Sequence, residues 1–175
     1  MTDKKLKKIV LSALFAALTC VATMVIQVPS PANGYVNLGD GVVLLSAWLL
    51  GPAYGSLAAG IGSMFADIFS GYAHYAPGTF IIKALTALTA YCLRRTLTKI
   101  NAKSAVAEIV AGVAGEAVMV IGYFFYAMLF LQRGLAAAAS IPGNVVQGVF
   151  GIAIAVLVYE ILKKSINLDA IAAKK

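Results

Sequence analysis

The sequence predicts an all-α integral membrane protein with six transmembrane helices, and three observations support this fold class. Of its 175 residues, 61% are hydrophobic and only 12% are charged, whereas a soluble domain carries about 25% charged residues. The chain is long enough for about six apolar spans of roughly 20 residues each. Its basic residues stand in short clusters between or beyond the apolar runs, which is typical of cytoplasmic membrane edges. We therefore expect one six-helix domain, residues 1–175, with both termini in the cytoplasm.

The net charge of +7 does not indicate a nucleic-acid partner, because the basic clusters lie at the ends of apolar segments. The lipid bilayer is the surface that such clusters face. Cys20 and Cys92 both fall inside apolar segments, and no spacing suggests a disulfide or a metal site. The basic N-terminus precedes an apolar run, as in a signal peptide, but no polar mature chain follows. We interpret that run as the first transmembrane helix.

Helix 1 is predicted over residues 9–28, after a lysine-rich stretch that indicates a cytoplasmic N-terminus. Small residues recur along it at intervals of four: Ser12, Ala16 and Cys20 in one row, and Ala13 and Ala17 in the next. Rows of this kind let another helix approach closely. Packing within this chain and docking of another subunit are both open at this point.

Helix 2 is predicted over residues 38–50. Asn37 can cap it, and Asp40 follows three residues later as in a capping box, so we interpret Asp40 as a helix-start residue rather than a ligand contact. At 1.5 Å per residue this helix is only about 20 Å long, which is short for a span. Either it begins below the membrane surface, or it is re-entrant. The preceding outer loop contributes Tyr35.

Helices 3 and 4, predicted over 53–70 and 77–93, carry one acid, Asp67, and one base, Lys83. A charge at the centre of a lipid-facing helix costs roughly 2.5–3.5 kcal/mol on insertion scales, so such residues pair, face a cavity or bind a ligand. The loop between the helices supplies three aromatic side chains: Tyr72, His74 and Tyr75. We predict a small-molecule pocket at this end. Two alternatives involve no ligand. Asp67 and Lys83 could form a structural ion pair, and the tyrosines could belong to the aromatic belt at the membrane interface.

Helices 5 and 6 are predicted over 105–131 and 142–162. Glu116 lies about 18 Å along helix 5, near mid-membrane, with no basic partner at helical spacing. We expect it to contact the ligand or to orient a residue that does. Asn144 and Gln147 share one face of helix 6 and either bind ligand or join helices. The predicted pocket residues are Tyr35, Asp67, Tyr72, His74, Tyr75, Lys83, Glu116, Tyr123, Asn144 and Gln147.

The distribution of charge favours six crossings. With the N-terminus inside, all 14 lysines and arginines except Lys83 and Arg133 lie on the cytoplasmic side. If helix 2 did not cross, the basic cluster from Arg94 to Lys103 would move outside, against the positive-inside rule.

No catalytic constellation is visible in the sequence. His74 is the single histidine, the aspartates have no supporting motif, and a metal-ligand cluster is missing. The sequence also has no phosphate-binding glycine loop, so we expect neither an enzyme nor a cofactor.

Several motifs together resemble the substrate-binding S components of energy-coupling-factor (ECF) vitamin transporters. They are the AxxxA row from Ala13 to Ala17, the GPxxG turn at 51–55, Asp67 in helix 3, and the spacing from Pro77 to Lys83. The resemblance covers the whole chain. It implies vitamin capture at the outer face of a prokaryotic plasma membrane, with uptake driven by a transmembrane coupling subunit and two cytoplasmic ATPases. It also implies that Ala13 and Ala17 face the coupling subunit.

The substrate is less constrained than the family. An acid, a base and two amides among tyrosines suit pyridoxine or hydroxymethylpyrimidine, while pantothenate could use Lys83 for its carboxylate. Riboflavin, folate and queuosine precursors also remain open. The alternatives of a different class are a self-contained proton-coupled transporter or exporter that uses Glu116, and a purely structural membrane subunit.

Overall fold

The computed structural model describes residues 3–30 and 34–165, which are mostly helical. Its helices are α1 (Asp3–Val25), α2 (Asp40–Leu50), α3 (Pro52–Phe69), α4 (Ala76–Lys99), α5 (Ser104–Phe125) and α6 (Ile141–Ser165). A π-helical turn (Tyr126–Phe130) and a 3-10 segment (Gly134–Ser140) join α5 to α6. The six predicted helices are present in the predicted order. Lys174 and Lys175, which the charge argument counted as cytoplasmic, lie outside the described residues.

The connection between α1 and α2 corrects the all-α prediction. Helix α1 ends at Val25, not Val28, and the chain then forms an antiparallel hairpin of β1 (Gln27–Ser30) and β2 (Gly34–Asn37). Pro29 has no N–H to continue a helix, and pairing across the hairpin satisfies the backbone groups of the connection. Tyr35 therefore lies on a strand, opposite Pro29.

The predicted cap of α2 is also wrong. The Asn37 Oδ1 atom accepts a hydrogen bond from the Gly39 N–H at 2.9 Å, a local turn rather than a helix cap. Helix α2 begins at Asp40, and Val43, Leu44 and Ala47 within it are completely buried. This short helix runs through the middle of the bundle, which explains why it is apolar on every side.

Within residues 3–30 and 34–165, four helical segments are long and apolar enough to cross a membrane: α1, α4, α5 extended through Phe130, and α6 extended back to Gly134. Helix α2, at 11 residues, is shorter. The membrane-protein class is thus supported by composition and by helix length, while six full crossings and the orientation of the termini stay predictions.

Helix α4 is longer than expected. Arg94, Arg95 and Lys99, predicted in a loop, lie on its last turns. No glycine or proline interrupts the chain there, and the helix stops just before Asn101, whose left-handed φ of 59° suits a helix end.

Glycines bring α3 close to its neighbours. A Cβ on Gly62 would lie 2.3 Å from the Ala16 carbonyl oxygen of α1, and one on Gly55 would lie 2.4 Å from the Ser46 carbonyl oxygen of α2. We call the end of the bundle with the β-hairpin, the turn 70–75 and the 3-10 segment the hairpin end. The opposite end, with the start of α1, residues 94–104 and the last turn of α6, is the basic end.

Candidate ligand-binding site

A cavity of about 40 Å³ lies at the hairpin end and is lined by residues of β2, the 3-10 segment and every α-helix except α2. The residues that line it are Thr23, Gly34, Tyr35, Asn37, Ser63, Asp67, Tyr75, Thr79, Lys83, Tyr123, Ser140, Asn144 and Gln147. Seven of the ten predicted pocket residues are in this lining. Tyr72, His74 and Glu116 are not, although each lies against a residue that is.

Asp67 and Tyr35 form one wall of the cavity. The Tyr35 hydroxyl donates a hydrogen bond of 2.6 Å to Asp67 Oδ1, which ties β2 to α3. Burial and the neighbouring Asp67 carboxylate raise the pKa of Tyr35, so its hydroxyl remains a proton donor at neutral pH. The Tyr72 ring packs on Tyr35 with centroids 4.8 Å apart and supports this wall from outside.

Lys83 pairs with Asp40, and the alternative of a structural Asp67–Lys83 ion pair is not formed. The Lys83 ammonium contacts Asp40 Oδ1, and Gln147 Nε2 donates to Asp40 Oδ2 at 2.6 Å. The side-chain oxygen of Gln147, Oε1, accepts a hydrogen bond from the Asn37 backbone N–H at 2.8 Å. Asp40 is the first residue of α2 and does not line the cavity, so its interpretation as a helix-start residue rather than a ligand contact agrees with the structure, but its pairing with Lys83 was not predicted. Because α2 starts inside the bundle, its first residue is completely buried and serves as the counter-ion of Lys83.

Glu116 lies behind the Lys83–Asp40 pair rather than in the cavity lining. Its carboxyl interacts electrostatically with both Asp40 and Lys83. Neither of its oxygens has a hydrogen-bond partner among the described residues, and the side chain is 4% exposed. Gly148 on α6 leaves room for it, since a Cβ there would approach the Glu116 Cβ to 2.9 Å. Glu116 is thus buried inside the bundle, and its neighbours are two charged residues from other helices, while its position near mid-membrane stays a prediction.

Aromatic side chains surround the side of the cavity nearest the hairpin end. The Tyr123 hydroxyl donates to Thr79 Oγ1 at 3.0 Å, and the Arg133 guanidinium lies 5.6 Å from the centroid of the buried Tyr75 ring. The exposed His74 ring packs against Tyr75 at 4.9 Å. His74 and Arg133 thus place positive or polar groups beside the aromatic boundary.

Sequence reasoning missed six of the residues that line the cavity: Thr23, Gly34, Asn37, Ser63, Thr79 and Ser140. Thr79 was detectable, because it stands four residues before Lys83 and so shares its helix face. Ser63 stands at the same spacing from Asp67. Asn37 is polar, but we interpreted it as a helix cap. Thr23, Gly34 and Ser140 reach the cavity only through long-range packing.

A separate apolar groove of about 690 Å³ runs between α1 and α3. All five residues of the predicted docking rows line it: Ser12, Ala13, Ala16, Ala17 and Cys20. The rows differ in exposure. Ala16 packs against Gly62 of α3, whereas Ala13 and Ala17 are exposed. One row therefore serves internal packing, and the other leaves a thin surface on α1.

The basic end also holds a buried acid. Glu108 is completely buried and accepts a 2.6 Å hydrogen bond from Ser104. Arg94 of α4 and Lys163 of α6 lie 3.5 and 3.6 Å from the same carboxylate oxygen. Arg94 also donates to the Tyr159 hydroxyl at 2.7 Å. This cluster joins α4, α5 and α6 at the end opposite the cavity.

Comparison with known proteins agrees with this arrangement. A protein of Pyrococcus woesei, described as "Uncharacterized protein in gap 3'region", is 36% identical over 149 residues, which is 84% of this chain and 95% of that protein. The solved S component of a bacterial ECF transporter has a TM-score of 0.67 at 22% identity, over 91% of this chain and 97% of that one. The S component for biotin from an ECF-type ABC transporter has a TM-score of 0.70 at 17% identity, over 99% and 100%.

At those identities the two solved structures show the fold. The family is shown by a family model, described as "ECF-type riboflavin transporter, S component", which matches residues 3–164. The resemblance drawn from the sequence motifs is thereby confirmed: the chain belongs to the S components of ECF-type transporters, in the family described for riboflavin.

Proposed function

We propose that this chain is the high-affinity substrate-binding subunit of an ECF-type importer and that it captures a water-soluble vitamin at the hairpin end. The observation that carries the proposal is the cavity, where a few polar side chains converge among tyrosines. This is the usual make-up of a small-ligand site. The buried Lys83–Asp40–Gln147 network forms its floor and fixes the polar groups in place.

Riboflavin is our first candidate substrate, because the matching family is described for it. Pyridoxine and hydroxymethylpyrimidine stay on the panel as neutral heterocycles with hydroxyl groups. Pantothenate is less well supported than the sequence suggested, since the Lys83 ammonium expected to bind its carboxylate is already paired with Asp40.

Binding of any of these molecules requires the hairpin end to open. Ligand pockets usually measure about 300–1,000 Å³, whereas this cavity measures about 40 Å³. The hairpin closes over it through the Tyr35–Asp67 hydrogen bond and through Gly34, whose added Cβ would lie 3.6 Å from the Tyr75 hydroxyl. Gly143 of α6 approaches Val36 in the same way. We infer that these short contacts separate when ligand enters.

The partners of the proposed importer are a transmembrane coupling subunit and two cytoplasmic ATPase subunits. The sequence has no phosphate-binding loop, so ATP hydrolysis belongs to those partners. The exposed row of Ala13 and Ala17 is the surface we assign to the coupling subunit, because small side chains permit close helix approach.

One observation favours a second candidate function. Glu116 is a buried acid beside a second acid, Asp40, and clustered intramembrane acids are typical of proton relays. A self-contained proton-coupled transporter would therefore also use this cluster. Such a protein would move substrate across proteoliposome membranes in response to a proton gradient, with no other subunit.

The deciding experiment uses the purified full chain in detergent. Titration with riboflavin, pyridoxine, hydroxymethylpyrimidine and pantothenate should give submicromolar binding of one of them without any gradient, and mass spectrometry should identify the same molecule if it co-purifies. In proteoliposomes the chain alone should not accumulate that ligand. Gradient-driven uptake by the chain alone would contradict the proposal in favour of the second candidate.

A further inference from the structure

Two polar side chains on one face of α3 point to a subsite of the cavity. Ser63 and Asp67 are four residues apart and therefore share a helix face. Both line the cavity, and they are 2% and 4% exposed. The Ser63 hydroxyl and the Asp67 Oδ2 atom are buried without a hydrogen-bond partner in the described part of the chain. Two buried polar atoms without hydrogen-bond partners in one cavity wall are unusual, because buried polar groups nearly always form hydrogen bonds.

The Asp67 charge is not balanced by an ion pair among the described residues. Its Oδ1 atom is used by Tyr35. The Thr79 hydroxyl also interacts with the carboxylate, but it leaves Oδ2 unbonded. Lys83 is the cationic side chain in the cavity lining, and its charge is already offset by Asp40. Asp67 therefore gives this wall of the cavity a negative potential and one open acceptor position.

We propose that Ser63 and Asp67 form a subsite for an uncharged or cationic part of the ligand that presents N–H or O–H donors, and that Asp67 excludes ligands bearing a carboxylate. A hydroxyl chain or a ring N–H satisfies Oδ2, and the Ser63 hydroxyl, which both donates and accepts, bonds the adjacent group. A carboxylate in the same small cavity would repel Asp67, because like charges close together in a low dielectric disfavour one another. This inference rests on the proposed function and narrows its substrate class.

The test compares three flavins that share one ring system. Riboflavin carries a hydroxylated chain, lumiflavin a methyl group and 10-carboxymethylflavin a carboxylate at the same ring nitrogen. The parent protein should bind riboflavin most tightly and 10-carboxymethylflavin least. Pyridoxine and 4-pyridoxate provide a second neutral and anionic pair, and pantothenate and biotin represent the carboxylate vitamins.

Asp67→Asn keeps the shape of the side chain and removes its charge. It should weaken riboflavin binding about tenfold to a hundredfold, as expected for a lost charge-assisted hydrogen bond. It should also reduce the ratio of the 10-carboxymethylflavin Kd to the lumiflavin Kd by at least about tenfold. Ser63→Ala should weaken riboflavin about twofold to tenfold and leave the lumiflavin to 10-carboxymethylflavin ratio unchanged. Thermal unfolding in detergent confirms that each variant is folded.

Glu160→Gln is the matched control, because it removes a carboxylate from the basic end, where Glu160 pairs only with Lys163 among the described residues. It should change neither affinity nor preference. An unchanged flavin preference in Asp67→Asn, or tighter binding of a carboxylate vitamin than of every neutral probe, overturns this inference and leaves the proposed function standing. Failure of the parent protein to bind any vitamin of the panel overturns both.

Discussion

The chain buries acids at both ends of the bundle, and the two ends balance them differently. At the basic end one acid, Glu108, lies near two cations, Arg94 and Lys163. Beneath the cavity of the hairpin end two acids, Asp40 and Glu116, share one cation, Lys83. The basic-end cluster joins α4, α5 and α6, and the hairpin-end cluster joins α2, α4 and α5. Both therefore contribute to holding the bundle together.

The difference separates a structural cluster from a site. The basic-end cluster pairs Arg94 and Lys163 with Glu108, and Lys163 also with the partly exposed Glu160. It connects to solvent through Arg94 and Lys163, which are 18% and 28% exposed. The hairpin-end cluster is almost fully buried, and its polar groups continue through Gln147 and Asn37 into the cavity lining. Asp40 and Glu116 therefore influence the cavity through Lys83 and Gln147, which line it, whereas Glu108 and its partners lie at the opposite end of the bundle.

Removing Lys83 should produce the largest effect. In Lys83→Met, Asp40 and Glu116 face one another without a cation, and breaking a buried ion pair costs about 3–5 kcal/mol. We expect a large drop in unfolding temperature in detergent and loss of vitamin binding. The double variant Asp40→Asn with Lys83→Met should recover much of the stability. A single variant with parental unfolding temperature would show that the cluster is not a structural unit.

Changing Glu116 should produce a smaller effect. The sequence suggested that Glu116 contacts the ligand or orients a residue that does, and its interaction with Asp40 and Lys83 behind the lining favours the second role. We therefore expect Glu116→Gln to weaken vitamin binding by about twofold to tenfold, the range of a neutral hydrogen bond, as measured by calorimetric titration. Asn144→Ala, which alters the lining directly, should have an effect of similar size. Parental affinity in Glu116→Gln would confine the site to the lining residues.

The corresponding change at the basic end should leave binding intact. Glu108→Gln removes the acid of the other cluster while Ser104 keeps a hydrogen-bond partner. Because Arg94 and Lys163 are partly exposed, their charges remain solvated, and the stability loss should be about 1 kcal/mol. Chemical unfolding and vitamin titration of the same preparation measure both quantities. A loss of affinity comparable with that of Glu116→Gln would remove the distinction between the two ends.

The smallest effect on stability and affinity belongs to the exposed row of α1. Ala17→Trp should leave both clusters and vitamin affinity unchanged while preventing assembly with the coupling subunit, because the bulky side chain blocks close helix approach. Co-purification with the coupling subunit and ATPases measures assembly. Leu18→Trp, at an exposed position outside the groove, is the matched control and should assemble. If Ala17→Trp assembles normally, the groove is a packing feature of this chain.

The sequence by itself determined the membrane class, the six helices and most of the polar residues of the site. These properties are local. A long apolar run predicts a helix, a proline or glycine marks its end, and a charge inside an apolar run is visible without a structure. Asp67, Lys83 and Glu116 were found in this way. The same local reasoning misread the α1–α2 connection as a loop, because a four-residue strand has too little pattern to be recognised.

The tertiary structure alone decided which of these residues meet. Lys83 is 16 residues from Asp67 in the sequence, yet it pairs with Asp40, 43 residues away. It does so because α2 begins inside the bundle and Gly151 of α6 lets the Asp40 backbone approach α6 closely. The same packing places Glu116 behind the cavity and brings Thr23 and Ser63 into its wall. Helical periodicity specifies the face on which a side chain lies, but its partner depends on which helix covers that face, and long-range close packing makes that choice.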